Sequence, residues 1–580
     1  MTRGEADLDR RAFTAWLTLI LVIAALVRGL FPAADPPWES SVGIVWHDEG
    51  AWVHNARNRA LFGEWSLDAW NPMFIAPVFT GLEYLSFAAF GVGVRQARLV
   101  PEVLGWMSVL LLGLGVARVA GRRAGLIAAA LLATNYVYVM WNRAALMEAP
   151  MTAFLVAAWY CHARVLESGR WAWGAALFAF LAYFTKAAAA FFLAAMALEA
   201  LISLWGSRRG ERPERRRALQ TLVALTGCGV VALAVFILPN WQDYWFYNVQ
   251  MSITRKPSYD LAALMDRVTW FPVLHDLFTR MWLTMLLGLA AVASIVVRLR
   301  EALPGERLLV LWVGLGALEL ILHDVGNERR FIFFIPALVA LAAILLGRDR
   351  SLVTPVLASL PRSRVLLAAP LVFYALYVVF GSAVRLGFLY EIRPNVRLAS
   401  ALALVATVGV VWSWPRLPRA LTSGWTAAAG LLLGAILSIG QLLQYVQWAA
   451  GRTYENYEAS RALNQVLAPG TLVHGKLANG LSLENQIRPV FVGRGFGNYD
   501  DRTTRDDVRY ILTYIAPSIG YESQRLDPVI ADVLEAYPDR SIIMTFDVAE
   551  TATGQDKAAL IDKFGGAGGT DRQTTGREND

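Results

Sequence analysis

Two adjacent carboxylates, Asp48 and Glu49, stand in the string Trp46-His47-Asp48-Glu49-Gly50, shortly after an apolar stretch running from about Ala12 to Phe31. That stretch is long enough to cross a bilayer. An amphipathic-looking segment, Ala51 to Phe62, follows the pair. Carboxylates so placed can take a proton from a hydroxyl or bind a cation next to a lipid surface. They can also do no more than stabilise the start of a helix.

Four further groups carry ionisable or aromatic residues at block ends or in loops. Arg143 and Glu148 lie in Arg143-Ala-Ala-Leu-Met-Glu148-Ala-Pro150, between two apolar blocks. Lys186 ends a block and precedes four alanines. An ionisable residue at such a place is a functional candidate, although a lysine near a helix end also snorkels to the interface. Glu328-Arg329-Arg330 precedes another block, as does the nearby His323-Asp324. The long loop from Asn240 to Asp276 carries Trp245, Tyr247, Lys256, Tyr259 and His275. Its aromatic residues suit a lid or acceptor platform, and equally an interfacial belt.

One reaction needs no more than this set. A sugar carried on a polyprenyl phosphate leaves behind a phosphate anion, which needs cations rather than a general acid, and Arg and Lys provide them. The acceptor hydroxyl needs one base, and a carboxylate serves. No G-x-x-x-x-G-K-[ST] string occurs, so direct use of nucleotide energy is not expected. His47, Glu148 and His275 are the candidate ligands for a divalent metal, but no pair has the spacing of a strong metal motif.

The elements that must position these residues are membrane helices. Of the 580 residues 56% are hydrophobic and 12% aromatic, with a mean hydropathy of +0.44. Such a composition excludes an ordinary soluble protein. The net charge of +7 resides in short Arg-rich breaks that orient a polytopic protein, and is no nucleic-acid signal. Cys161 and Cys228 lie in apolar blocks and read as inert thiols. The first block lacks a small-residue cleavage site and reads as an uncleaved anchor.

About thirteen spans are expected, near 12–31, 97–118, 124–141, 150–167, 171–187, 189–206, 218–238, 281–298, 307–323, 331–347, 365–384, 397–413 and 420–443. The apolar stretch 74–91, with Pro72, Pro77 and Glu83, reads as a re-entrant or interfacial helix. With the N-terminus inside, the plain Arg-rich breaks fall on the inner face, and every candidate group above falls on the outer face. The expected organisation is a transmembrane unit over 1–445, with juxtamembrane helices in a first outer loop at 32–96. A small outer α/β domain follows at 446–564, then a disordered tail at 565–580. Strands are expected near 471–474, 489–492, 508–514 and 541–546, and helices near 457–467 and 527–536.

Taken in order, these motifs resemble the GT-C superfamily of membrane glycosyltransferases. The nearest likeness is to the group holding the protein O-mannosyltransferases and the lipid A aminoarabinose transferases. The residues that carry it are Asp48-Glu49, the turn Asn71-Pro72-Met-Phe, Arg95-Gln-Ala-Arg98, Arg143 with Glu148 and Pro150, Thr185-Lys186, and Glu328-Arg329-Arg330. They cover roughly residues 10–345. Glu148 stands where that family usually has Asp, and Asn71-Pro72-Met-Phe replaces the Lys-Pro-Pro-Leu common among aminoarabinose transferases. The resemblance implies a GT-C fold and an inverting transfer from a polyprenyl-phosphate sugar to a lipid, glycan or protein acceptor at the outer face of the plasma membrane. It implies that Asp48 would be the base or a ligand of the acceptor hydroxyl, with Glu49 and Glu148 orienting the acceptor or binding a metal. Arg143, Lys186, Lys256, Arg329 and Arg330 would hold the donor phosphate, and Trp245, Tyr247 and Tyr259 would meet the acceptor. The rival reading is a transporter or flippase of lipid-linked sugars. It predicts ionisable residues in mid-span and a repeat between halves, neither of which is evident.

Overall fold

Long runs of Leu, Ala and Val, broken by Gly, Pro and Arg, fold as helices whose ends coincide with the breaks. The computed structural model describes residues 8–37, 46–206, 212–251, 258–270, 280–299, 301–323, 328–347, 360–387, 396–414, 416, 427–514, 533, 535–548 and 556–565. Its first nine helices are α1 (Arg10–Gly29), α2 (His47–Trp52), α3 (His54–Phe62), α4 (Pro77–Phe90), α5 (Val94–Ala120), α6 (Arg122–Thr134), α7 (Tyr136–Asn142), α8 (Glu148–Ala163) and α9 (Arg170–Thr185).

Each of the thirteen apolar stretches contains a helix, but the helices differ in length. Among the described residues six are long and apolar enough to cross a membrane, or seven if α6 and α7, bent by 61°, make one span. The bend falls at Asn135, whose extended backbone ends α6 and whose side chain accepts the Tyr138 N–H at 2.9 Å. Helices α8 and α9, at 16 residues each, rise about 24 Å, less than the hydrocarbon core of about 30 Å. The count of thirteen spans therefore does not follow from helix length. α4 has 14 residues and starts on Pro77. It rises about 21 Å, too short to cross unaided.

The last third is built differently. Five strands pair in the order β2-β1-β3-β5-β4, with β1 Leu472–His474, β2 Arg488–Val490, β3 Tyr510–Tyr514, β4 Ser541–Val548 and β5 Asp556–Asp562. β1 runs parallel to β2 and β3, while β5 is antiparallel to β3 and β4. β5 is absent from the expected strands because Asp-Lys-Ala-Ala-Leu-Ile-Asp shows no clean alternation. Its place comes from pairing on both sides. The expected helix at 527–536 lies almost wholly outside the described residues, whereas Glu455–Val466 is helical.

The sheet core contains Leu463, Val473, Leu481, Leu512, Leu560 and, from the far end of the chain, Trp46. The Asp35 carboxylate accepts from the N–H groups of Glu455 and Asn456 and from the Thr453 hydroxyl. Both contacts tie the segment after α1 to the sheet region.

One buried group gives that region an acid sensitivity. His474 is fully buried, with Nδ1 3.5 Å from the Lys563 ammonium. Burial, with Lys563 and Arg505 adding repulsion, pulls the imidazole down from 6.5 to about 3. The folded form thus holds fewer protons than the unfolded one between those values. Its contribution to stability is full above about pH 6.5 and declines as pH falls toward 3. Amide-exchange protection of β1 and β3 is expected to drop over that window, and to drop less in His474→Gln. Equal slopes in both proteins would remove this assignment.

Candidate active site

Asp48 and Glu49 occupy the first turn of α2, where the helix dipole favours acids, but their side chains go to different partners. Glu49 is buried and takes both Nε and Nη2 of Arg98, at 2.8 and 2.7 Å. Glu49 Oε1 also accepts the Ala145 N–H at 2.7 Å. Arg98, on α5, donates in addition to the carbonyls of Pro32 and Ala34. Glu49 therefore brackets α2 to α5 and to the 143–147 turn. This differs from the expectation that it orients an acceptor or holds a metal. Glu49→Ala would strand the buried Arg98 guanidinium, at a cost of about 3–5 kcal/mol. A lowered thermal unfolding midpoint of the purified protein is expected, with Glu49→Gln intermediate. An unchanged midpoint would count against the bracket.

Asp48 faces the other way and is partly exposed. Arg329 Nη1 donates to its Oδ2 at 2.5 Å. The same guanidinium reaches Glu148, with Nε 3.5 Å from Oε1. Glu148 begins α8 and is buried, and Lys186 Nζ lies 2.5 Å from its Oε1. Lys186 adopts an extended backbone that ends α9 before a short 3-10 turn, Ala187–Ala189. That break brings the ammonium to the start of α8. Four segments far apart in sequence thus supply two carboxylates and two cations to one continuous ion-paired cluster. Arg330 lies within electrostatic reach of Lys186.

Arg143 does not join this cluster. It donates to the carbonyls of Val27, Arg28, Leu30 and Phe31, and stacks 4.7 Å from the Trp448 ring centroid. It satisfies the open carbonyls at the end of α1, so its expected role on a phosphate is not what the geometry favours. Tyr247 is buried. Its hydroxyl donates to the Ala69 carbonyl and accepts from Asn71 at 2.9 Å, while its ring stacks on Phe74. It lies in the helical segment Phe246–Gln250, not in the expected loop, and anchors that segment to the turn before α4. Trp245 and Tyr259 are exposed; Trp245 packs on Trp241, and Arg267 lies over the Tyr259 ring. Lys256 and His275 lie outside the described residues. His47 is buried, with Nε2 3.8 Å from Asp48 Oδ1. Among the described residues no three His, Cys, Asp or Glu side chains cluster as metal ligands would.

Arg98 is the residue that reading by motif left without a role. Arg98 and Glu102 stand four apart in the apolar helix α5, and charges inside such a helix are a usable signal.

Residues 75–241 match the protein family described as dolichyl-phosphate-mannose-protein mannosyltransferase. Two crystal structures of ArnT from Cupriavidus metallidurans are similar to the chain over 94% of its length and 98% of theirs, at 16% identity. The TM-score is 0.53 for the form bound to undecaprenyl phosphate and 0.50 for the apo form. No curated protein matches the chain by sequence. At 16% identity the likeness shows a shared fold, that of the ArnT structures. This chain is accordingly an integral membrane protein with mannosyltransferase-like sequence features.

Proposed function

We propose that the protein is an inverting glycosyltransferase that moves a sugar from a polyprenyl-phosphate donor to an acceptor hydroxyl or phosphate on the outer face of the membrane. The observation that carries this reading is the cluster of Asp48, Glu148, Lys186 and Arg329. Asp48 is the base: it takes the acceptor proton as the acceptor oxygen bonds to the anomeric carbon. The bond from that carbon to the phosphate oxygen breaks on the opposite side, so the configuration inverts. The leaving polyprenyl phosphate gains negative charge, which Lys186 and Arg329, with Arg330 nearby, neutralise. Glu148 holds both cations in register before the donor arrives. The similarity to a structure bound to undecaprenyl phosphate supports this choice of donor.

The test uses purified protein, labelled polyprenyl-phosphate sugars and a panel of hydroxyl and phosphate acceptors. The reading expects one new glycoside, of inverted anomeric configuration, for each polyprenyl phosphate released. Movement of intact donor across proteoliposomes with no new glycoside would overturn it in favour of a transporter.

A further inference from the structure

Asp48 sits on a six-residue helix, too short to hold its own geometry. Beside the Glu49 bracket to α5, it is supported by the sheet region. A Cβ on Gly50 would lie 1.7 Å from the Asn479 carbonyl oxygen, and a Cβ on Gly480 would lie 2.7 Å from the His47 side chain. The backbones of α2 and the Lys476–Gly480 helix are therefore in direct contact, on the turns that carry Asp48 and Asn479.

What clamps the two together is Arg57. It lies on α3, which continues α2 through Val53: the Val53 N–H donates to Glu49 O, and the Arg57 N–H donates to Val53 O. The Arg57 side chain is fully buried and donates to three carbonyls of the sheet region, Ser482, Asn485 and Ile487, each at 3.0 Å. No carboxylate is among these partners. A guanidinium presents several donors in a fixed plane, so this fork sets the orientation of α3 as well as its distance. Asp68 adds a second tie, since its carboxylate takes both the Phe491 N–H and buried His54.

We infer that Arg57 is a positioning residue for Asp48: it locks the α2–α3 pair onto the sheet region, so that a segment more than 400 residues away in sequence sets where the base stands. This rests on the transfer reading above. It also makes the 482–487 segment, rather than the sheet as a whole, part of the catalytic scaffold.

The experiment uses the full chain in lipid nanodiscs, comparing wild type, Arg57→Gln, Arg57→Lys and Arg509→Gln. Arg509, just before β3, pairs with Asp562 at the end of β5 and is a control for general loosening of the sheet. Three quantities are read: amide exchange across 46–62, transfer rate, and affinity for polyprenyl phosphate.

Arg57→Gln is expected to speed exchange at 46–52 and to cut turnover by about 10²-fold, the scale of an ångström-level misplacement. Affinity for polyprenyl phosphate should stay within about twofold, because Lys186 and Arg329 are untouched. Arg57→Lys should fall between, since an ammonium cannot serve three carbonyls in one plane. Arg509→Gln should loosen the sheet with turnover near wild type. Unchanged exchange at 46–52 in Arg57→Gln would overturn the inference, as would an equal loss of turnover in Arg509→Gln. If the wild type transfers nothing, the functional reading fails, and the exchange result still decides whether Arg57 fixes α2.

Discussion

Asp48→Asn is expected to lower sugar transfer by about 10²–10⁴-fold, the range attributed to a positioned general base. The amide keeps the size of the side chain and can still accept from Arg329, so the fold and affinity for polyprenyl phosphate should change little. The loss should appear in turnover, with the KM for donor near its wild-type value, because the base acts in the transition state. Initial rates with labelled donor at saturating acceptor measure this. Near-normal turnover would return Asp48 to a helix-capping role. Loss of donor affinity instead of turnover would mean that Asp48 serves to hold Arg329.

The second large effect is a split between stability and activity at Lys186 and Glu148. Glu148 is almost wholly buried, with 1% of its side chain exposed, and Lys186 is its nearest cation. Lys186→Met leaves that carboxylate, among the described residues, with the Arg329 guanidinium 3.5 Å away as its ion-pair partner. Removing one member of a buried pair costs about 3–5 kcal/mol, whereas replacing both members is often close to neutral. Lys186→Met should therefore unfold at a clearly lower temperature than wild type, and the double variant Lys186→Met with Glu148→Gln should recover most of the loss. Transfer should stay low in both, because the phosphate has lost a cation. Recovery of activity together with stability would make the pair purely structural.

The types of the candidate site residues were legible before any folding, but their partners were not. Asp48-Glu49 reads as one acidic unit. In the folded chain α2 sends Asp48 toward Arg329 and Glu49 toward Arg98, because neighbouring residues on a helix point about 100° apart. Arg143 looked like a cation beside an acid. Its true partners are four carbonyls at the end of α1, and backbone acceptors leave no mark in a sequence. Lys186 was easier, since an ionisable residue among alanines at a helix end has few structural reasons to be there.

Helices were visible through apolar runs. Their lengths were not, since the bend at Asn135 and the short α8 and α9 lie within blocks that read as continuous. In the sheet region, strands with alternating residues were readable and β5 was not, because its place depends on β3 and β4. Arg57 was invisible for the same reason: its three acceptors lie more than 400 residues away.

The most direct measurement is an experimental structure of the protein with polyprenyl phosphate bound in a bilayer mimic. The account predicts the phosphate within hydrogen-bonding distance of Lys186 and Arg329, with the Arg329–Asp48 contact released or shared and the Asp48 carboxylate facing open space for an acceptor. A phosphate bound elsewhere, with the pairing of Asp48, Glu148, Lys186 and Arg329 undisturbed, would contradict it.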